Sequence, residues 1–516
     1  MPLLVLLPAI VVTAAVLLSP AYLILRAAES GGTIWNALTA STVLWAIGRT
    51  IFLAVTVTLG AAAIAISTAW IVSRTDVPMR STWAVLLTLP LAVPSYIGGF
   101  VMVSAMGPRG MLQDLLSPLG VERLPSLDGF PGAWLTLTLL SYPYIYLPIR
   151  AAMARIDPAL EEASRSLGKS RRETFLRVTL PQLRPAFSAG SILLSLYVLS
   201  EFGAVSMLHY DTLAPLVYIQ YTSSFDRSAA AVLALPLLAL AALFVMLDSS
   251  TRGRAQYHSS GQSRRVRLQR LGPWRWVALL VCAAPVGFGI GMPIVVISYW
   301  LIKGMSEGET TSFLLEAVLN SAKVSAVAAI LTVAASLPVA LLTVRYRGRL
   351  SSVLENAAYS GQSVPGITIA LSLVFFSANY LTPVYQTLVV LVFAYAVRFL
   401  PQALGACRSA MVQINPHTEE VARSLGAGPM RTFVRVTAFQ MLPGMSAGAL
   451  LVFLTVMKEL PITLLLSPIG FETLTTQIWS ATSEAFFTKA ALPSLLLVLL
   501  SACAAMLIVR REAFDA

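Results

Sequence analysis

The sequence predicts an all-α polytopic membrane protein of about twelve transmembrane helices, arranged as two tandem sets of six. The 516 residues are 57% hydrophobic and only 12% charged, about half the charged fraction of soluble domains. The apolar residues form long uncharged blocks near the ~20 residues that a helix needs to cross a bilayer. A long segment also occurs twice. These observations exclude a soluble enzyme, a disordered chain and a disulfide-stabilised secreted domain.

Uncharged runs and the polar residues between them delimit the candidate spans. In chain order these are 3–25, 50–73, 82–106, 132–153, 185–209, 228–248, 276–302, 318–344, 355–378, 384–408, 441–467 and 490–510. The first is interpreted as a retained helix and not a signal peptide, because it lacks a basic n-region and a well-placed A-x-A site. The uncharged stretch 356–397 is too long for one span, and Asn379 and Pro383 mark the turn that divides it.

The basic residues predict the orientation of the chain. With the N-terminus inside, 26 of the 36 Lys and Arg residues fall in inward loops and the C-terminal tail, 7 in outward regions and 3 within spans. This distribution places both termini in the cytoplasm by the positive-inside rule. The net charge of +12 is thereby divided among separate loops without a basic–aromatic patch, so no nucleic-acid partner is expected.

The chain contains an internal duplication at an offset of 258 residues. Segments 161–185 and 419–443 share thirteen identities in twenty-five positions, among them Glu161/Glu419, Gly168/Gly426 and Thr179/Thr437. Upstream the offset becomes 271, where Val93-Pro94 matches Val364-Pro365. Because six spans is an even number, both copies start in the same orientation, as in a parallel repeat. The predicted domains are a first repeat 1–250, a basic cytoplasmic linker 251–275 and a second repeat 276–516.

The duplicated segment is predicted to be a short helix followed by a glycine break. Asp157-Pro158 and Asn415-Pro416 combine a helix N-cap with proline at the first helical position. The acids that follow lie in the first turn, where the helix dipole favours negative charge. One such loop is compatible with a simple solvated connection. Finding it in both repeats predicts two equivalent docking sites for a cytoplasmic dimer.

The pattern Glu162-Ala163-Ser164-x3-Gly168-x9-Val178-x-Leu180-Pro181 resembles the EAA loop of ATP-binding-cassette (ABC) importer permeases. Glu420-Val421-Ala422-x3-Gly426-x9-Val436 resembles it again, although Ala438-Phe439 replaces Leu-Pro at its end. The resemblance implies two fused type I permease repeats, with EAA-like loops at 157–185 and 415–443. The residues implied to couple the chain to ATPase subunits are Glu161, Glu162, Ala163, Gly168, Glu419, Glu420, Ala422 and Gly426.

The resemblance also implies which partners the chain needs. No G-x-x-x-x-G-K-[ST] phosphate loop occurs in the sequence, so the chain is not expected to be an enzyme or to hold a cofactor. ATP and Mg²⁺ are expected on two copies of a separate cytoplasmic ATP-binding-cassette subunit. An extracytoplasmic substrate-binding protein and the bilayer of a bacterial inner membrane complete the expected surroundings.

Four charged residues within the predicted spans are candidates for the translocation pathway, because charge at membrane depth is costly. They are Glu201, Glu459, Lys458 and Arg398. Glu201 and Glu459 are equivalent in the two repeats, and each is followed within two residues by a helix breaker, Gly203 or Pro461. They either line a polar pathway or form structural ion pairs, and the sequence leaves both interpretations open.

The segments Glu201-Phe202-Gly203-Ala204 and Lys458-Glu459-Leu460-Pro461, with the residues that follow at 210–213 and 466–471, resemble those of fused ferric-iron (Fe³⁺) importer permeases. Phosphonate, thiamine and polyamine permeases are related alternatives. Fe³⁺ prefers oxygen ligands, and two carboxylates are compatible with it. No resident metal site is expected, because His209, His258 and His417 are scattered and Cys282, Cys407 and Cys503 have no ligand spacing. An ion-gradient-driven secondary transporter is the competing class, against which the EAA-like loops argue. An integral membrane enzyme has no supporting motif.

Overall fold

The computed structural model describes residues 3–29, 36, 38–223, 227–251, 268–306, 314–346 and 348–514. The described part is a set of α-helices without a strand, and Thr75 and Gln269 form an isolated bridge. Most of the predicted linker, residues 252–267, lies outside the described residues.

The first repeat contains fourteen of the described α-helices. They are α1 (Leu3–Glu29), α2 (Ser41–Arg74), α3 (Arg80–Leu86), α4 (Ser95–Met106), α5 (Met111–Leu116), α6 (Phe130–Ser141), α7 (Pro143–Arg155), α8 (Pro158–Ser166), α9 (Arg171–Thr174), α10 (Leu180–Gln182), α11 (Arg184–Leu199), α12 (Gly203–Met207), α13 (Leu213–Ser223) and α14 (Arg227–Thr251).

The second repeat contains the other twelve α-helices that the structure describes. They are α15 (Arg275–Val286), α16 (Met292–Ser306), α17 (Leu314–Arg345), α18 (Arg349–Ser360), α19 (Gly366–Tyr380), α20 (Leu388–Gln413), α21 (Pro416–Ser424), α22 (Pro429–Thr432), α23 (Ala438–Met457), α24 (Pro461–Leu466), α25 (Leu474–Ser483) and α26 (Phe487–Phe514). Single π-helical turns occur at Phe175–Thr179, Gly287–Gly291 and Phe433–Thr437.

Among the described residues, seven helical segments are long and apolar enough to cross a membrane, and one bent pair adds an eighth. This confirms the polytopic all-α class. The bent pair, 80–92 and 95–119, turns by 90°, whereas the sequence predicted one helix over 82–106. The bend falls at Val93-Pro94, because proline removes a backbone donor and disfavours helix at the preceding residue. The equivalent Val364-Pro365 likewise separates α18 from α19.

The described chain forms two compact units that do not follow the two repeats. Unit 1 comprises residues 1–40, 217–238 and 309–481, and unit 2 comprises residues 41–216, 239–308 and 482–516. Each unit therefore contains the middle spans of one repeat together with outer helices of the other repeat.

In unit 1, α1 packs against α17, α18 and α19 of the second repeat. The Tyr22 ring lies edge-on to Phe376, with the ring centres 5.4 Å apart. Ser372 donates a 2.9 Å hydrogen bond to the carbonyl oxygen of Ser19. The interface is therefore both aromatic and hydrogen-bonded.

In unit 2, α16 and α26 of the second repeat pack against each other and against α4 of the first repeat. The ring of Phe487 lies 5.2 Å from that of Phe100 and 5.3 Å from that of Trp300. The Trp300 indole also donates a hydrogen bond to Ser104. Contact of the half-buried Phe487 and Trp300 rings with the buried Phe100 gives α26 a specific position in unit 2.

Candidate functional site

The helices α8 and α21 form the first part of the two repeated loops, and both begin as the sequence predicted. The Asp157 carboxylate accepts a 2.9 Å hydrogen bond from the Ala159 N–H. The Asn415 side-chain oxygen accepts one of 3.0 Å from the His417 N–H. Each cap satisfies one of the backbone donors left unpaired in the first turn of a helix.

Both helices end in the same motif around a left-handed glycine. Gly168 has φ +81° and Gly426 has φ +84°. In the first loop the Lys169 N–H donates to the Ser164 carbonyl at 3.2 Å, and the Gly168 N–H donates to the Arg165 carbonyl at 3.0 Å. The corresponding bonds recur in the second loop. This pattern is a Schellman motif, which requires a residue that adopts positive φ easily.

The paired acids in each loop helix have different surroundings. The side chains of Glu161 and Glu419 are only 15% and 8% exposed, whereas Glu162 and Glu420 are exposed to solvent. Among the small residues, Ala163 is exposed and Ala422 is half-buried. The second acid of each pair is therefore the one that a partner could reach.

In unit 2, the inward-facing acid meets a buried arginine at the end of α2. Arg74 is 2% exposed, and its Nη2 lies 3.5 Å from Glu161 Oε1. The same nitrogen donates a 3.2 Å hydrogen bond to the Met153 carbonyl near the end of α7. Thr179, in the π-helical turn, donates a 3.0 Å hydrogen bond to Glu161 Oε1. One carboxylate oxygen and one arginine thus join four segments.

Unit 1 repeats this arrangement with three equivalent side chains, but the carbonyl acceptor is three residues further along the chain. Arg345, the last residue of α17, places Nη2 3.0 Å and Nε 3.1 Å from Glu419 Oε1. Its Nη2 also donates to the Ile414 carbonyl at 3.2 Å, and Thr437 donates to Glu419 Oε1 at 3.1 Å. Arg423 adds a contact of 3.4 Å to the other carboxylate oxygen of Glu419.

After the glycine the two loops differ in how the next helix begins. In the first, Glu173 accepts a 3.2 Å hydrogen bond from the Ser170 N–H, and the Glu173 N–H donates to the Ser170 hydroxyl at 3.2 Å. This reciprocal pair is a capping box. The Ser170 N–H bond and the nearby Lys169 ammonium lower the pKa of Glu173. In the second loop Pro429 occupies the first helical position instead.

Glu201 lies in a break between α11 and α12 and is only 5% exposed. Its carboxylate accepts a 2.9 Å hydrogen bond from the Ala204 N–H. The hydroxyls of Ser95 and Tyr197 and the Gly203 N–H lie near the same carboxylate. Since Ser95 is the first residue of α4, Glu201 lies beside the start of the helix that follows Val93-Pro94.

Glu459 occupies the equivalent break between α23 and α24 in unit 1, and it is half-buried. Gly366, the first residue of α19, is the counterpart of Ser95. A β-carbon at Gly366 would lie 2.7 Å from Glu459 Oε1, so the carboxylate lies directly on the start of α19. A negative charge there is favoured by the unpaired N–H groups of the first helical turn.

The two basic candidates have no counterparts in the first repeat. Arg398, in α20, donates a hydrogen bond to the Val364 carbonyl at the break before α19. Lys458 is half-buried and directly precedes Glu459. The equivalent positions in the first repeat are Leu140 and Ser200. The second repeat therefore carries two cations near its broken helices where the first has none.

Arg74 and Arg345 were missed as site residues at the sequence level, where they counted only toward orientation. Two features of the sequence could have identified these arginines. The two arginines are equivalent at the 271-residue offset, and the Thr179/Thr437 pair is identical at the 258-residue offset.

No group of three or more His, Cys, Asp or Glu side chains that could hold a metal ion occurs among the described residues.

Comparison with known proteins identifies the duplicated unit. A family described as "binding-protein-dependent transport system inner membrane component" matches residues 64–253 and again residues 324–512. Each match includes one repeated loop and one of the two breaks that carry an acid. Both repeats are therefore complete enough to be recognised separately.

Individual relatives agree with this assignment. The chain is 36% identical over 487 residues to the Fe(3+)-transport system permease protein FbpB 2 of Haemophilus influenzae, covering 93% of this chain and 92% of that protein. It is 30% identical to a probable molybdenum ABC transporter permease protein of Haloferax volcanii over 43% of this chain and 80% of that protein. The sulfate transport system permease protein CysT of Escherichia coli is 27% identical over 36% of this chain and 68% of that protein. With a fused pair of family units and permeases as its relatives, the chain belongs to the family of inner-membrane permease components of binding-protein-dependent transport systems.

Proposed function

We propose that this permease moves ferric iron across the inner membrane, by alternating access driven by ATP hydrolysis on separate subunits. The observation that carries the choice of substrate is the 36% identity to a Fe(3+)-transport permease over 93% of the chain. The molybdenum and sulfate permeases match less than half of the chain. The Glu201 carboxylate lies at the first turn of α12 and the Glu459 carboxylate at the first turn of α19. Two carboxylates so placed agree with a hard cation as cargo.

Substrate competition in a reconstituted system tests this proposal. The chain is combined in vesicles with its ATPase and binding-protein partners, and uptake of radioactive Fe³⁺ is measured. Iron uptake should require ATP and should not be reduced by excess phosphonate, thiamine, polyamine, sulfate or molybdate. Preferential uptake of one of those compounds would reassign the substrate. Uptake by the chain alone along a proton or sodium gradient would instead indicate a secondary transporter.

We infer that α8 and α21 are coupling helices, each of which docks in one ATPase subunit, and that ATP and Mg²⁺ bind there and not on this chain. The exposed side of each helix supports this role. Glu162 and Glu420 face solvent, and the Leu residues before the two glycines, Leu167 and Leu425, are 81% and 82% exposed. Large apolar side chains exposed at equivalent positions are typical of a surface that a partner covers.

Co-purification tests the docking role. The double variant Glu162→Arg, Glu420→Arg reverses charge at both exposed acids and should lower ATPase co-purification at least tenfold. The double variant Glu122→Arg, Asp128→Arg reverses charge at exposed residues outside both loops and serves as the matched control. Equal ATPase recovery from the two double variants would exclude the docking role.

We further propose that Glu201, Glu459, Lys458 and Arg398 line the translocation pathway. Support comes from the positions of Glu201, Lys458 and Glu459 at breaks in apolar helices, where irregular backbone at membrane depth is tolerated mainly beside a cavity. Arg398 lies within α20 and bonds to a carbonyl at such a break. Removing charge with little change in shape, as Glu201→Gln with Glu459→Gln, should reduce iron uptake at least tenfold while the complex still assembles. Normal uptake by that variant would leave the two acids with a purely structural role.

A further inference from the structure

We propose that Arg74 and Arg345 are positioning residues that clamp each coupling helix to the long second span of its own repeat, so that displacement of the coupling helix moves that span. The proposal rests on the proposed function in one respect, because it takes the displacement from the ATPase subunits. We call the two groups of side chains the clamps: Arg74–Glu161–Thr179 in unit 2 and Arg345–Glu419–Thr437 in unit 1.

The first argument is the number of segments that each clamp joins. In unit 2, the guanidinium at the end of α2 contacts Glu161 of α8 and the Met153 carbonyl of α7. The Thr179 hydroxyl brings the π-helical turn onto the same carboxylate oxygen at 3.0 Å. With four segments held at one point, α8 cannot shift away from α2 without separating the Arg74–Glu161 ion pair.

The second argument is recurrence in the other unit, built from the duplicated sequence but folded with different neighbours. Arg345 reaches Glu419 Oε1 through two nitrogens, at 3.0 and 3.1 Å, and Thr437 reaches it at 3.1 Å. Both acids are the first of their pair, whereas the second acid of each pair is exposed. The loop helix thus has an inner acid for the clamp and an outer acid for a partner.

The third argument is that burial of Arg74 makes the clamp in unit 2 selective for one geometry. Arg74 is 2% exposed, and its Nε and Nη1 have no hydrogen-bond partner within the described residues. A buried guanidinium that retains few contacts depends strongly on each of them. The long helices that the clamps engage, α2 and α17, are 34 and 32 residues long. A continuous helix of that length is long enough to extend across the bilayer, so its clamped end is connected to the opposite side.

Amide hydrogen exchange on the purified full-length chain tests the clamps without the ATPase. Glu161→Gln and Glu419→Gln keep an acceptor for each threonine but remove the ion pair. We expect exchange over 158–168 and 416–426, respectively, to rise at least tenfold. The matched control is Glu355→Gln, which removes the 2.8 Å ion pair to Arg408 outside both clamps, and it should leave those segments unchanged. Exchange equal to that of the control would overturn the proposal.

A functional readout separates positioning from simple stabilisation. In the reconstituted complex the Gln variants should retain bound ATPase but transport at least threefold less substrate per ATP hydrolysed. Thr179→Val and Thr437→Val should reduce the substrate transported per ATP by a smaller factor, and Thr179→Ser and Thr437→Ser should keep the wild-type ratio. If a Gln variant fails to accumulate, these threonine variants provide the test. An unchanged ratio would refute the clamps. Failure of the wild-type chain to bind any ATPase would count against the proposed function, while the exchange result would still decide the clamps.

Discussion

At the scale of single residues, the left-handed glycines and the clamp residues have separate roles in the repeated loops. Glycine sets where the helix ends, and the inner acid sets which side of it faces the spans. A β-carbon at Gly168 or Gly426 would meet nothing within 4 Å. The requirement for glycine is therefore conformational, because positive φ strains a residue that carries a β-carbon.

Substitutions at Gly426 should follow backbone preference more than side-chain size. Gly426→Val should cost about 1–2 kcal/mol in the loop, because a β-branched residue is strained in the left-handed region, whereas Gly426→Asn should cost less. The matched control is Gly428→Val, since Gly428 has φ −64° and an equally open environment. Amide exchange over 416–426 measures the difference. Similar exchange in the two valine variants would show that the Schellman motif is not the constraint.

At the scale of elements, the helix that begins after Val-Pro in each unit packs against the helix that follows the buried or half-buried glutamate. These pairs are α4 with α12 in unit 2 and α19 with α24 in unit 1. In unit 2 the contact between α12 and α4 is closely packed, because a β-carbon at Gly203 would lie 2.6 Å from the Tyr96 β-carbon. In unit 1 the atom that approaches Gly366 is the end of the Glu459 side chain. A side-chain end can move, whereas a β-carbon cannot move without its backbone.

Alanine at these two glycines should therefore have unequal effects on stability. Gly203→Ala forces the backbones of α4 and α12 apart and should destabilise the protein by about 1–3 kcal/mol, as overpacked cores do. Gly366→Ala should cost less than that, because the Glu459 carboxylate can rotate away. Thermal unfolding of the two variants in the same detergent gives the comparison. A larger loss for Gly366→Ala would mean that the Glu459 carboxylate is fixed in place.

The helix caps and the breaks at Gly203 and Pro461 were predictable because their causes are local: a cap residue, a proline or a glycine acts on its immediate neighbours. The clamps were not predicted, because Arg74 and Glu161 are far apart in sequence and an arginine at a span end has an ordinary alternative role in orientation. The 90° bend was not predicted either, because residues 82–106 were expected to form one helix. Val93-Pro94 indicates a break, but the angle depends on what the two helices pack against.

At the scale of the whole molecule, the compact units exchange helices between the repeats. Hydrophobic pattern predicts which side of a span is buried but not which neighbour buries it. Because the two repeats have the same pattern, α1 is equally compatible with α2 or with α17. The domain boundary predicted at the linker 251–275 concerns the duplicated sequence and remains a prediction. The packing instead groups helices from both repeats into unit 1 and into unit 2.

Division of the chain within 252–267 tests this exchange. Residues 1–251 alone lack the partners of α1, and residues 268–516 alone lack α4, against which α16 and α26 pack. Each half expressed alone should be degraded or aggregate, because large apolar faces stay uncovered. The two halves expressed together should co-purify and restore transport. A monodisperse, thermally stable first half would contradict the exchange.

The position of α1 in unit 1 also constrains the order of events at the ribosome. Its partners begin at Leu314, so α1 enters the membrane well before any of them exists. At 5–20 residues per second, the intervening chain of roughly 290 residues takes about 15–60 s to synthesise. During that interval α1 faces lipid or an insertion factor. Linking both repeats in one polypeptide keeps the waiting helix beside the ribosome that is making its partners, so assembly does not depend on a diffusional encounter between separate subunits.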